Sequence, residues 1–303
     1  MLEWCLVKIR PWSDADTDWW VGLRLAWQPT FGEAQLRLLA AGRIADFAYR
    51  AVALRDGARV GFASIACLPG HGEAFALVLV PPDRRGQGIG SALFAELVRE
   101  SSDDTLMASM PDDDQRSLAV AEHWGFRVVS HAIRSRFDLG PGKPRPIDAL
   151  DGQVRVIDAA SPDWDKLWLS PLIIDSDTSP EAIELGWHTT LDDFERMFPG
   201  IVWVVIEEDG KPIAAASASP QEGDAWLLIY TGVLPSHRRQ GFARMAKVRL
   251  HAVVAHRGGR SLTTDNEARN TSILGLNESL GYERIGGEVR LRREALDTRS
   301  SPG

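Results

Sequence analysis

The chain has 303 residues, 44% of them hydrophobic and 25% charged, and a formal net charge of −8. That length suits two domains with a core each, and the balance is that of a soluble globular protein. The acidity argues against general nucleic-acid binding, which needs a basic face, and no apolar run nears the roughly 20 residues that cross a bilayer.

The N-terminal stretch Met1–Lys8 has no charged leader ahead of an apolar segment, so no signal peptide is expected and the cytoplasm is the expected location. Val7 to Arg10 alternates and reads as a strand. Ser13-Asp14-Ala15-Asp16 is a helix start, and a second helix fits Glu33 to Phe47. Tyr49 to Leu54 and Arg59 to Cys67 form a hairpin across Arg55-Asp56-Gly57-Ala58. Glu73 to Val80 is the next strand, followed by a helix from Gly88 to about Ser101. Leu106 to Met110 is a strand and Asp114 to Trp124 a helix stopped at Gly125-Phe126. Arg127 to Leu139 supplies a final hairpin. Cys5 and Cys67 sit in apolar strand-like contexts that predict buried thiols, with no disulfide framework and no metal spacing.

Gly140-Pro141-Gly142-Lys143-Pro144-Arg145-Pro146 breaks the pattern and reads as a linker. The expected organisation is an N-terminal domain over 1–140, a linker over 141–151 and a C-terminal domain over 152–303. The order of elements then repeats. Val154 to Ile157 is a strand, and Pro162, Pro180-Glu181 and Thr190 open helical pieces. Ile201 to Glu207 and Pro212 to Ser219 form a hairpin around Asp209-Gly210. Ala225 to Val233 is a strand, followed by a helix beyond Gly241 to about His256. Ser261 to Thr264 is a strand, Arg269 to Leu280 a helix, and Glu283 to Leu296 strand-like with a Gly286-Gly287 kink.

Each half contains one stretch with distinctive chemistry. Val80 is followed by Arg85-Gly86-Gln87-Gly88-Ile89-Gly90, and Val233 by Arg238-Arg239-Gln240-Gly241-Phe242-Ala243. In both, a strand turns through a Pro and two Arg into a helix that opens on small residues. A helix start offers unpaired N–H groups and a positive dipole end. Small residues let an anion approach, and arginine adds a charge-assisted contact, so a bound pyrophosphate fits. A strand–helix corner packed with small residues is the plainer reading for one copy alone. Two copies carry more weight: Gly88 and Gly241 are 153 residues apart, Gly125 and Gly281 are 156, and the spacing marks a duplicated domain.

The two stretches resemble the Arg/Gln-x-x-Gly-x-Gly/Ala signature of the GNAT superfamily of N-acetyltransferases. The leading Arg and the lack of an acidic ribose ligand separate them from a dinucleotide fingerprint, and the lack of Lys-Ser/Thr from a P-loop. The resemblance covers about residues 4–139 and 152–296. It implies an α/β fold of two tandem domains, each a mixed, mostly antiparallel sheet flanked by helices and splayed between its fourth and fifth strands. It also implies acetyl-coenzyme A as cofactor, bound through its pyrophosphate at the loops. The layout, with an active second domain, is similar to that of the mycothiol synthases, a likeness that does not establish their substrate.

Acyl transfer to an amine requires that a thioester carbonyl be polarised, an amine deprotonated and a thiolate protonated. The resemblance gives the polarising role to backbone amides around Leu79-Val80 and Gly232-Val233-Leu234. It gives Asn270 and Asn266 coenzyme contacts, although each also suits a helix N-cap. Many relatives carry a Tyr seven residues past that Asn as general acid. Here the position is Asn277, and an amide has no proton to give, so a water or another residue must replace it. The first-half equivalents are Asp114 and Ala121, with Asp112 and Asp113 alongside, a negative charge that disfavours an anionic cofactor. The second half is therefore expected to be catalytic. The candidates for catalytic roles are Tyr230, also readable as a pocket wall, and Asn277. Glu73 reads as a strand end, Trp187-His188 lies in a variable substrate segment, and the 11 Trp residues are mostly core. The expected activity is direct acetyl transfer to a small-molecule amine by a monomer or homodimer, with no nucleic-acid or membrane partner. The alternatives are a non-catalytic acyl-coenzyme A-binding or regulatory protein, and an interaction scaffold that binds no coenzyme.

Overall fold

The computed structural model describes residues 7–27, 32–67, 73–101, 105–140, 154–158, 166–176 and 190–294. These fall into two compact units, one drawn from Met1–Met110, Asp114–Val129 and Arg290–Gly303, the other from Pro111–Asp113 and Ser130–Val289.

In the first unit β1 (Lys8–Pro11), β2 (Asp46–Arg55), β3 (Ala58–Cys67) and β4 (Ala74–Leu79) form an antiparallel meander, and β5 (Thr105–Pro111) joins β4 in parallel. The β2–β3 turn is the expected one: Asp56 and Gly57 both take positive φ, at 51° and 80°, which suits the twist of a two-residue hairpin. Helices α1 (Thr17–Trp27), α2 (Glu33–Ala40), α3 (Ile89–Glu100) and α4 (Gln115–His123) flank this sheet. Helix α2 is shorter than the expected Glu33 to Phe47. Gly42 turns the chain at φ 69°, and Phe47 already belongs to β2. Trp20, Leu36, Val52 and Phe62 close one core, with Trp12 edge-on to Trp20 and Phe62. The buried Asp16 carboxylate ties Arg10 (2.7 Å) and Arg59 (2.6 Å) to this unit. Arg10 first, then Arg59 and Ser13, hold its carboxyl well below the ordinary range against the opposing effect of burial.

In the second unit β6 (Arg127–Asp138) contributes Ala132 to Asp138, paired antiparallel with β11 (Ser261–Glu267). Beyond β11 the sheet runs through β10 (Ala225–Val233), β9 (Lys211–Pro220), β8 (Val202–Glu208) and β7 (Val154–Asp158). Among the described residues, helices α5 (Lys166–Ser176), α6 (Leu191–Met197), α7 (Phe242–His256) and α8 (Thr271–Leu280) accompany it. Thr190 caps α6 through a reciprocal bond with Asp193, the helix start the sequence signals. Residues 127–138 form one unbroken strand and not the expected hairpin. The last strand of each sequence half is shared out: β6 from Ser130 onward goes with the second unit, and β12 (Glu283–Glu294) gives Arg290 onward to the first. Gly287 is required where β12 passes Asp112, because a Cβ there would lie 2.3 Å from its Oδ2.

Cys67 is exposed at the end of β3, contrary to the expected burial, because its strand ends there. Cys5, Trp187, His188, the helix starts at Pro162 and Pro180-Glu181, and the linker 141–151 lie outside the described residues. No described helix is long and apolar enough to cross a membrane.

Candidate active site

Both signature loops are built by the same succession of turns. After β4, a single turn at Pro82–Arg84 leads to an extended Arg85, then Gly86 at φ 76° and Gly88 at φ 76°, the N-cap of α3. After β10, Pro235–His237 leads to an extended Arg238, Arg239 at φ 62° and Gly241 at φ 89°, the N-cap of α7. Arg239 thus occupies the left-handed conformation that a glycine holds in the first loop, at a cost of about 1 kcal/mol.

The side chains of the signature brace the loop. Arg85 Nε donates to the carbonyl of Val80 at 3.1 Å and Arg238 Nε to that of Val233 at 3.2 Å. Gln87 Nε2 donates to Asp83 O at 3.2 Å and Gln240 Nε2 to Ser236 O at 3.3 Å. In the first loop Arg55 also holds the Gln87 side chain. Ile89 is buried under the corner, Phe242 packs on the second core, and Gly90 lies against Trp124. Ala243 is half-buried on the opening turn of α7.

What the loops offer outward is backbone. Neither Gly88 nor Gly241 supplies a side-chain cap to its helix. A Cβ built on either meets nothing within 4 Å, so the helix starts face open space. An anion at such a corner finds unpaired amides and the positive end of the dipole.

Beside each loop the sheet opens. β10 pairs with β11 only from Ala225 to Leu227, although it runs on to Val233, and its register with β9 shifts between Leu228 and Tyr230. β4 meets β5 only at Ala74 and Phe75. The far end of β10, including Gly232-Val233, and the far end of β11, including Asn266, therefore border a widening gap. This is the splay between fourth and fifth strands.

Tyr230 takes part in an aromatic trio, 5.6 Å from Trp203 and 5.9 Å from Phe194, on the face of the sheet away from α7. Asn270 caps α8, its Oδ1 accepting from the Ile273 amide at 3.3 Å. Asp114 does the same for α4, accepting from the Ser117 amide at 3.0 Å and hydroxyl at 2.7 Å. Burial works to raise the Asp114 carboxyl, but Ser117, Arg85 and Arg116 hold it below the ordinary range. Asp112 is engaged by His131 at 2.9 Å and Arg284 at 3.1 Å. Glu73 is no solvated strand end: it pairs with Arg292 at 3.2 Å and is largely buried.

Asn277 is buried at 2% exposure, and its Nδ2 donates to Asn266 Oδ1 at 2.7 Å. Its Oδ1 accepts from Lys247, which is fully buried. The Lys247 ammonium lies 5.0 Å from the centre of the Tyr282 ring, and the Tyr282 hydroxyl meets His251 Nε2 at 2.8 Å. Burial draws Lys247 down to about 7 and, with the Lys247 charge, His251 to about 3; it pushes Tyr282 up. Sequence reasoning missed Lys247, His251 and Tyr282. Their signal was a lysine and a histidine set in the buried stripe Ala246, Leu250, Val253 and Val254 of α7.

The loops, the splay and the repeat meet an independent match at this point. A model described as acetyltransferase (GNAT) domain matches residues 47–128, and one described as acetyltransferase (GNAT) family matches 163–282. The chain belongs to the GNAT acetyltransferases. It is an N-acetyltransferase of two such domains in tandem. It is similar to the mycothiol acetyltransferase of Kocuria rhizophila, 25% identical over 280 residues, 88% of this chain and 90% of that one. It is also similar to that of Rhodococcus opacus, 24% identical over 258 residues, 77% of this chain and 79% of the other. Among solved structures, a tandem GNAT protein from the clavulanic acid biosynthesis pathway shares the fold with a TM-score of 0.73 at 23% identity, covering 97% of this chain and all of that one (100%). A GCN5-related N-acetyltransferase from Sphaerobacter thermophilus does so with a TM-score of 0.68 at 16% identity, covering 97% and 98%.

Proposed function

We propose that this GNAT enzyme uses acetyl-coenzyme A to acetylate a primary amine of a small molecule, and that the second half is the working domain. The organisation proposed is a first domain over 1–140, a linker over 141–151 and a catalytic domain over 152–303.

The observation that carries this reading is the second-half corner. An uncapped helix start at Gly241, braced by Arg238 and Gln240, stands beside a gap between β10 and β11. The residues fit the coenzyme. The amides of Gly241, Phe242 and Ala243 and the positive end of α7 would hold the pyrophosphate, with Arg239 adding charge. The backbone near Val233 would line the thioester, and Asn266 and Asn270 would border the pantetheine arm. When bound, the coenzyme supplies an activated acetyl group as its thioester. The protein's part is to hold the carbonyl against fixed N–H dipoles and to exclude water. Tyr230, packed on Trp203 and Phe194, would form a wall of the acceptor side and not a proton acceptor. Equivalent loop residues in the first half, Val80, Arg85, Gly86, Gln87, Gly88, Ile89 and Gly90, could hold a second coenzyme. The relatives' names, built on mycothiol, favour a small-molecule acceptor.

A second reading, binding without turnover, is favoured by Asn277, which stands buried where an acid would be needed. The test is incubation with acetyl-coenzyme A and a panel of amines while free thiol is followed. Amine-dependent thiol release supports the enzyme. Tight coenzyme binding with no release on any amine supports the second reading.

A further inference from the structure

The two halves carry different residues at four equivalent positions. Counting from the loop glycines, Phe94 of α3 corresponds to Lys247 of α7. Counting from the helix stops, Met110, Ala121 and Phe126 correspond to Asn266, Asn277 and Tyr282. The backbone correspondence is shown by one shared bond: Phe126 N to Ala121 O at 3.0 Å, and Tyr282 N to Asn277 O at 3.0 Å. In the first unit these places are apolar, with Phe94 stacked on Trp124 at 4.4 Å and tilted to Phe126 at 5.8 Å. In the second they carry a buried ammonium and two amides. A fold that closes this core with rings has no packing need for a lysine there, and burying one is costly.

The bonds run in one direction. A protonated lysine has donors and no acceptor, so Asn277 must present its oxygen to Lys247. Its Nδ2 is then left for Asn266, which must present its own oxygen. That leaves Asn266 with two N–H donors and no protein acceptor among the described residues. Asn266 is half-buried and lies on β11 beyond the last pairing with β10, so these donors border the gap.

We propose that Lys247 is a positioning residue of the acetyl-transfer site: through Asn277 it fixes the Asn266 amide with its N–H groups turned to the pantetheine arm and thioester. This rests on the reading that the second half uses acetyl-coenzyme A. The groups facing Lys247 are Asn277 from α8, Tyr282 from the turn between α8 and β12, and His251 from its own helix, with Phe137 of β6 stacked on the last two. Loss of the lysine proton removes the directional constraint, because a neutral amine can accept, and Asn277 is then free to reverse.

The test uses the full chain with Lys247→Met and the double variant Lys247→Met/Asn277→Leu, both leaving no buried charge, with folding checked by circular dichroism. The wild type is expected to lose kcat/KM as pH rises through about 7. Each variant is expected to fall about tenfold or more below it at pH 6, with no inflection in that window, and the double variant to fall no further than the single one. A folded Lys247→Met protein with wild-type kcat/KM and pH profile overturns the proposal and leaves the proposed function standing. A wild-type chain that turns over no acetyl-coenzyme A overturns both.

Discussion

Phe94 and Lys247 hold the same place in the two halves, six residues past Gly88 and Gly241, yet Phe94 stacks flat on Trp124 and Lys247 donates to Asn277. One duplicated scaffold has thus been closed with rings once and opened to polar chemistry once. The asymmetry separates what the fold needs from what a site needs.

The stability of the second unit should report that difference. Lys247 keeps its proton to near 10.5 in an unfolded chain and to about 7 when buried. Between those values the unfolded state binds more protons, so this group's contribution to stability rises with pH. Below about 7 both states hold the proton and the full burial penalty applies. Lys247→Met should therefore stabilise by about 2–4 kcal/mol near pH 6 and progressively less toward pH 10. Thermal melts at both pH values check this, and an equal gain at both would contradict it.

The loop arginines brace equivalent turns, but only one half is proposed to bind productively. Arg238→Ala should weaken acetyl-coenzyme A binding about tenfold, through a loosened turn and a lost charge, whereas Arg85→Ala should leave the catalytic affinity unchanged. Calorimetric titration of each variant tests the assignment.

Gly241 is held at φ 89° in open space, so the limit there is backbone conformation and not room. Gly241→Ala should cost about 1 kcal/mol and reduce coenzyme affinity by distorting the helix start. Arg239→Gly, which restores the first loop's residue at φ 62°, should be neutral or stabilising in a melt.

Asp16 is a fully buried carboxylate between Arg10 and Arg59. Its carboxyl is depressed when folded, so its contribution is present above the unfolded value near 3.8 and is lost as pH falls toward the folded one. Asp16→Asn should lower stability by about 3 kcal/mol at neutral pH and by much less in acid, measured by urea unfolding.

Much of this was legible in the sequence. The strand β10 and the helix α7 fall where apolar alternation and the glycine loop put them, because both signals are local. Asn270 reads as a cap and is one. The strand ends were not legible where tertiary contacts decide them. Phe47 carries a helical pattern and enters β2 after Gly42 turns the chain. Residues 127–138 look like two strands and form one, because β6 is extended by pairing with β11, a partner far away in the chain. Lys247 was hidden for a different reason. A lysine on a helix reads as solvated, and only the assembled core of Asn277, Tyr282 and His251 shows that it is not.

The most direct test is a crystal structure of the chain with acetyl-coenzyme A. The account predicts the pyrophosphate on the amides of Gly241 to Ala243 and the pantetheine arm between β10 and β11, within hydrogen-bond reach of Asn266. Coenzyme seated only at Gly88, or at neither corner, would contradict it.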